Sequence, residues 1–170
     1  MPHVPPLSNE ESGPARAALD ALQTKLGQVP NMYRTFAHSP RVLDAAISMA
    51  QAIRIDLDAK FRELAYLMVT HITDCHVCWH YHEAAARRAG VTDQQLRDLG
   101  KFEESEAYSP LEKDILRFAE QWTLHGRIAD DVMARLKSAF SAAHLVLLAA
   151  TTAQANFTTR FNNVFGVELP

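Results

Sequence analysis

Paired start and stop signals for helices punctuate this chain, and they constrain its fold more than any other feature. Thr92-x-x-Gln95 and Ser109-x-x-Glu112 both fit the capping box, in which a hydroxyl and a Glu or Gln three residues on satisfy each other's backbone N–H groups. Pro110 follows the second at the first helical position. Ser39-Pro40 supplies an N-cap and an N1 proline for a helix through about Ile55, and Asp58 can cap the next, from about Ala59 to Thr73. Gly27 follows a periodic run from Pro14 to Leu26, at the position where a left-handed residue ends a helix. Gly90, Gly126 and Gly166 stop the helices that open at the cysteines, at Ser109 and near Ser141. No β-branched alternation bounded by turn residues competes. The pattern predicts an all-α fold of about nine helices without internal repeat. Residues 1–12 read as an extended, proline-rich N-terminal arm and residues 13–170 as a single helical domain.

Charge and hydropathy narrow the partners. The net charge is -3 with acids and bases interspersed, so no basic stripe exists to follow a phosphate backbone, and nucleic acid is not an expected partner. The longest apolar stretch, Leu145 to Ala150, falls far short of the roughly 18 to 20 residues that span a bilayer, so no membrane association is expected. The opening Met1-Pro2-His3-Val4-Pro5-Pro6 lacks a basic segment followed by an apolar one, and the expected location is the cytoplasm.

Both cysteines fall at one place, Cys75-His76-Val77-Cys78, at the start of a helix. In a reducing compartment that spacing reads as a redox pair or as half of a zinc site. Projected at the helical period, Cys75, Cys78, His82, Ala85, Ala86 and Ala89 share one face. His76, His80, Glu83 and Arg87 share the other, with Glu83 and Arg87 spaced as an i,i+4 ion pair. Unpaired N–H groups and the helix dipole stabilise a thiolate at such a start, and the thiolate is the form that attacks peroxide or disulfide sulfur. His82, four residues beyond Cys78, is spaced to hold or take its proton. Cys75, nearer the helix end, is expected to be the more accessible sulfur. On this reading Cys78 meets the oxidant and Cys75 resolves the resulting sulfenic acid as a disulfide.

The wider pattern is Glu63, eleven residues, then Cys75-x-x-Cys78-x-x-x-His82. It resembles the signature of the alkylhydroperoxidase D and carboxymuconolactone decarboxylase superfamily. Arg62-Glu63-Leu64, Ala84 to Gly90, Asn156-Phe157 to Asn163 and the entry segment Leu26-Gly27-Gln28-Val29-Pro30-Asn31 resemble it too. The resemblance implies a single-domain alkylhydroperoxidase D-like helical fold and a thiol-dependent peroxidase (peroxiredoxin-type) activity. It makes Cys78 the peroxidatic thiol, Cys75 the resolving one, and Glu63 and His82 a proton relay. It implies a hydroperoxide substrate and a thiol or dithiol reductant, with no cofactor and no metal. The chain departs from the best-known peroxidases at Val77, where they carry a histidine, and this points to weaker peroxidase activity or a different oxidant. A straight helix would hold Glu63 about 18 Å from Cys75, so a chain reversal near Thr73-Asp74 is required.

Two alternatives belong to other classes. A zinc module would draw on Cys75, Cys78 and His71, His80 or His82, but His80 points away from the cysteine face and no second C-x-x-C completes the set. A non-peroxidase carboxymuconolactone decarboxylase-like member would keep only the fold, and such members generally lack the cysteine pair. On the last helix Phe157, Phe161 and Val164 share a stripe. The resemblance implies that such helices build a homo-oligomer, commonly a trimer or hexamer.

Overall fold

The computed structural model describes every residue from Met1 to Pro170 and contains nine α-helices and no strand. The helices are α1 (Arg16–Leu26), α2 (Asn31–Phe36), α3 (Pro40–Ala52), α4 (Ala59–Ile72), α5 (His76–Arg88), α6 (Asp93–Asp98), α7 (Pro110–His125), α8 (Asp130–Ala139) and α9 (Ala142–Phe165). Single 3-10 turns precede α1 and follow α6. The all-α expectation and the helix count are met. Both capping boxes form with their reciprocal hydrogen bonds, and the Asp58 carboxylate accepts the Lys60 N–H to start α4. Gly126 closes α7 at φ 66°, a conformation that costs little without a Cβ. α3 ends at Ala52, short of Ile55, because the chain leaves the helix to bury Ile53 and Leu57.

The chain forms two compact units. The smaller comprises residues 1–52 and 161–170. Its core is Leu19, Leu22, Val29, Phe36, Leu43 and Ala46, with Phe161 packed against it. Phe161 lies 4.2 Å from Phe36 and 4.6 Å from Phe165, ring centroid to centroid. The first residues are tied down within this unit. His3 donates its N–H to the Phe165 carbonyl at 2.8 Å, and Arg34 donates to the Leu7 carbonyl and the Asn9 side chain.

The larger unit, residues 53–160, carries α4 through α8 and most of α9. Its centre is α4, buried continuously from Glu63 to Thr70. A helix apolar on every side has to be covered on every side, and α7 and α5 pack against it. Leu64, Leu67, Met68 and Val69 meet Ile115, Leu116, Phe118 and Ala119 of α7, Leu136 of α8 and Leu148 of α9 in one core. A Lys60–Glu112 ion pair and a Gln95 amide donating to Glu112 link α4, α6 and α7 at the end of that core. No helix is long and apolar enough to cross a membrane.

Candidate active site

The reversal between α4 and α5 is short and built from capping. Thr73 closes α4, its hydroxyl donating to the Val69 carbonyl at 2.7 Å. Asp74 then takes φ 51°, the left-handed region that aspartate tolerates better than most residues. Cys75 follows in extended conformation as the N-cap of α5, its N–H returned to the Thr70 carbonyl at 3.2 Å. The expected reversal at Thr73-Asp74 is where the chain turns, and it lays α5 back along α4.

Cys75 and Cys78 are joined as a disulfide, with Cα atoms 5.3 Å apart. The Cys75 sulfur also caps α5, accepting the Cys78 N–H at 3.4 Å. Both cysteines are buried, Cys75 at 2% exposure and Cys78 at 5%. The expectation that Cys75 is the more accessible sulfur is therefore corrected. Capping and bonding both turn its side chain over the first turn of the helix and away from solvent.

One turn beyond Cys78, the His82 ring is held from two directions by α4. Its Nδ1 lies 2.7 Å from Glu63 Oε2. The Tyr66 ring is stacked on its face, centroids 3.5 Å apart and planes 11° from parallel. Glu63 is 3% exposed, and Arg62 Nε approaches its other oxygen at 3.3 Å. Burial by itself would raise the Glu63 carboxyl. The hydrogen bond from His82 and the charges of His82, Arg62 and Arg54 outweigh it, and the carboxyl is held below its ordinary range. An ionised carboxylate can only accept, so Nδ1 carries the proton it donates. A neutral His82 ring therefore offers Nε2 as its base, oriented by the partner on its other nitrogen.

The structure joins the four residues singled out in the sequence as two pairs: Cys75 and Cys78 in one bond, Glu63 and His82 in one hydrogen bond. His76 and His80 are exposed, on the face away from the cysteines as expected, and the Glu83–Arg87 pair forms at 2.9 Å. Trp79, half-buried against the core of the larger unit, donates its indole N–H to Glu83 at 3.0 Å. No group of three His, Cys, Asp or Glu side chains converges as a zinc site requires. Tyr66 is the member of the site that the sequence did not disclose. Its one signal was an aromatic residue three positions beyond Glu63, readable only once the register of α4 against α5 is known.

Residues 40–121 match the carboxymuconolactone decarboxylase family. The uncharacterised protein YdfG of Bacillus subtilis (strain 168) is 30% identical over 107 residues, covering 62% of this chain and 73% of YdfG. The chain belongs to the carboxymuconolactone decarboxylase family. Its fold is alkylhydroperoxidase D-like. The alkylhydroperoxidase AhpD core of a peroxidase-related protein from Ralstonia eutropha JMP134 superposes with TM-score 0.82 at 20% identity, over 98% of this chain and 93% of that one. The debrominase Bmp8, in complex with 2,3,4-tribromopyrrole, also superposes with TM-score 0.82, at 18% identity over 98% and 91% of the two chains.

Proposed function

We propose that this protein is a thiol-dependent peroxidase that reduces hydroperoxides through the Cys75–Cys78 pair. The observation that carries the proposal is a closed C-x-x-C disulfide one helical turn from a histidine whose Nδ1 is held by a buried carboxylate. In the reduced enzyme His82 takes the Cys78 proton, and the thiolate attacks the terminal oxygen of the hydroperoxide. The O–O bond breaks, the alkoxide leaves as alcohol with the proton from His82, and Cys78 becomes a sulfenic acid. Cys75 attacks that sulfur, and the hydroxyl leaves as water with the Cys75 proton as the disulfide closes. A dithiol then returns two electrons and two protons and is itself oxidised to a disulfide. Glu63 keeps the imidazole in the tautomer and orientation this cycle uses.

The supporting experiment follows hydroperoxide loss in the presence of a dithiol, alongside the intact mass of the protein. Expected are catalytic consumption of peroxide and a reversible loss of two hydrogens from the reduced protein. A panel of organic hydroperoxides with a brominated pyrrole beside them tests the chemistry of the electron acceptor. Turnover of the bromopyrrole alone would replace the peroxidase reading with a reductive dehalogenase using the same thiols. Turnover by the Cys75→Ser, Cys78→Ser double variant would end both. We also infer that the chain works as a homo-oligomer, a trimer or hexamer. What supports this is that α9 leaves Val146 at 67% and Phe157 at 47% exposure, apolar surface that a second copy would cover.

A further inference from the structure

Glu63 controls the edge of the His82 ring, and something else has to control its tilt. A single hydrogen bond at Nδ1 leaves the ring free to swing about the Nδ1···Oε2 line, which would displace Nε2. Tyr66 removes that freedom. It lies three residues beyond Glu63 on α4, on the same side of the helix. Its ring meets the imidazole face to face at 3.5 Å and 11°. Tyr66 is itself anchored. It is buried at 7% exposure, and its hydroxyl is hydrogen-bonded to Thr158 on α9. The Thr158 hydroxyl also lies 3.0 Å from the Gln154 carbonyl, so one hydroxyl pair ties Tyr66 to the backbone of α9. Thr158 is 2% exposed. His82 is therefore clamped in its plane by a carboxylate and across its plane by an aromatic ring whose far end is tied to a third helix.

We propose that Tyr66, anchored by Thr158, is the positioning residue that keeps His82 aimed at the Cys78 thiol. The proposal rests on the thiol-peroxidase reading and adds to it a residue that acts through the base by setting its geometry. The stack itself is the active part, and the hydroxyl serves to hold the stack in place.

The test measures the rate at which reduced protein reacts with a hydroperoxide and with an alkylating probe in Tyr66→Leu, Tyr66→Phe, His82→Gln and the Tyr66→Leu, His82→Gln double variant. Tyr66→Leu should slow both reactions by about tenfold through misplacement of the base, and Tyr66→Phe, which keeps the ring, should restore most of the rate. In the His82→Gln background the Leu substitution should have no further effect, because there is no imidazole left to aim. The proton resonances of the His82 ring should carry a ring-current shift in wild type and Tyr66→Phe that is lost in Tyr66→Leu. Additive losses in the double variant, or a wild-type rate in a folded Tyr66→Leu protein, would overturn the proposal and leave the peroxidase reading standing. A wild-type rate in His82→Gln would overturn both the proposal and the role of His82 as base. Tyr66→Met keeps apolar volume without a ring and replaces the leucine variant if that does not fold.

Discussion

At the scale of residues, the chemistry depends on charges and hydrogens that burial would ordinarily discourage. A carboxylate at 3% exposure stays ionised because His82, Arg62 and Arg54 surround it. Converting it to an amide keeps an acceptor for the Nδ1–H but removes the charge that favours the protonated imidazole. Glu63→Gln and His82→Gln should each slow thiol alkylation, His82→Gln by roughly the 10²–10⁴-fold expected for loss of a general base. The rate against pH is the measurement, and unchanged profiles in both variants would remove the relay. The two cysteines should separate in the same assay. Cys78→Ser is expected to abolish reaction with peroxide, and Cys75→Ser to leave one turnover and a sulfenic acid that a dimedone-type probe traps. Because Cys75 is no more exposed than Cys78, the assignment stands on the placement of His82 one turn from Cys78 and not on access. Peroxide reaction surviving in Cys78→Ser and lost in Cys75→Ser would exchange the two roles.

At the scale of elements, the site is a helix start and the turn that delivers it. Asp74 at φ 51° is the hinge of that delivery. A β-branched residue there is expected to cost about 1–3 kcal/mol, and to slow thiol chemistry as well, since Cys75 caps α5 in the very next position. Asp74→Gly should be tolerated at the same place. Chemical denaturation of Asp74→Val against Asp74→Gly reads the difference. Equal stability in the two would mean the turn is not held by that conformation. The capping boxes at Thr92 and Ser109 belong to scaffold and not to site. Removing either hydroxyl by alanine should cost about 1 kcal/mol and leave the alkylation rate unaltered.

At the scale of the whole molecule, acid is the condition to which the protein should be most sensitive. In the larger unit four carboxyls of low exposure are held below their ordinary range. Asp98 is lowered mainly by hydrogen bonds from Ser105 and Gln94. Burial would raise Glu63, Glu112 and Asp114, but His82, Lys60 and the Arg135–Arg117 pair respectively outweigh it. A carboxyl depressed on folding contributes stability that is fully present above its unfolded value and is lost as pH falls through its folded one. The melting temperature should therefore be flat above about pH 5 and fall steeply below the ordinary carboxylate range near 4. Asp114→Asn should flatten that acid limb. An acid limb unaltered in that variant would exclude Asp114 from it. Assembly is checked by light scattering. Val146→Glu and Phe157→Glu, on the exposed stripe of α9, should shift a trimer or hexamer toward smaller species. No change in mass would place the interface elsewhere.

The sequence by itself determined what short-range geometry can encode. The caps at Asp58, Thr92 and Ser109, the stop at Gly126 and the shared face of Cys75, Cys78 and His82 all follow from the helical period and from i,i+3 and i,i+4 spacing. Each was therefore readable from a few neighbouring residues. The Glu63–His82 contact spans nineteen positions, and it was expected only because the chain resembles a family. Two things were decided by tertiary structure alone: the Tyr66 stack and the exposure of Phe157. Both depend on the rotation and register of one helix against another. Those are set by packing summed over whole helix surfaces, to which no single residue adds a signal strong enough to read.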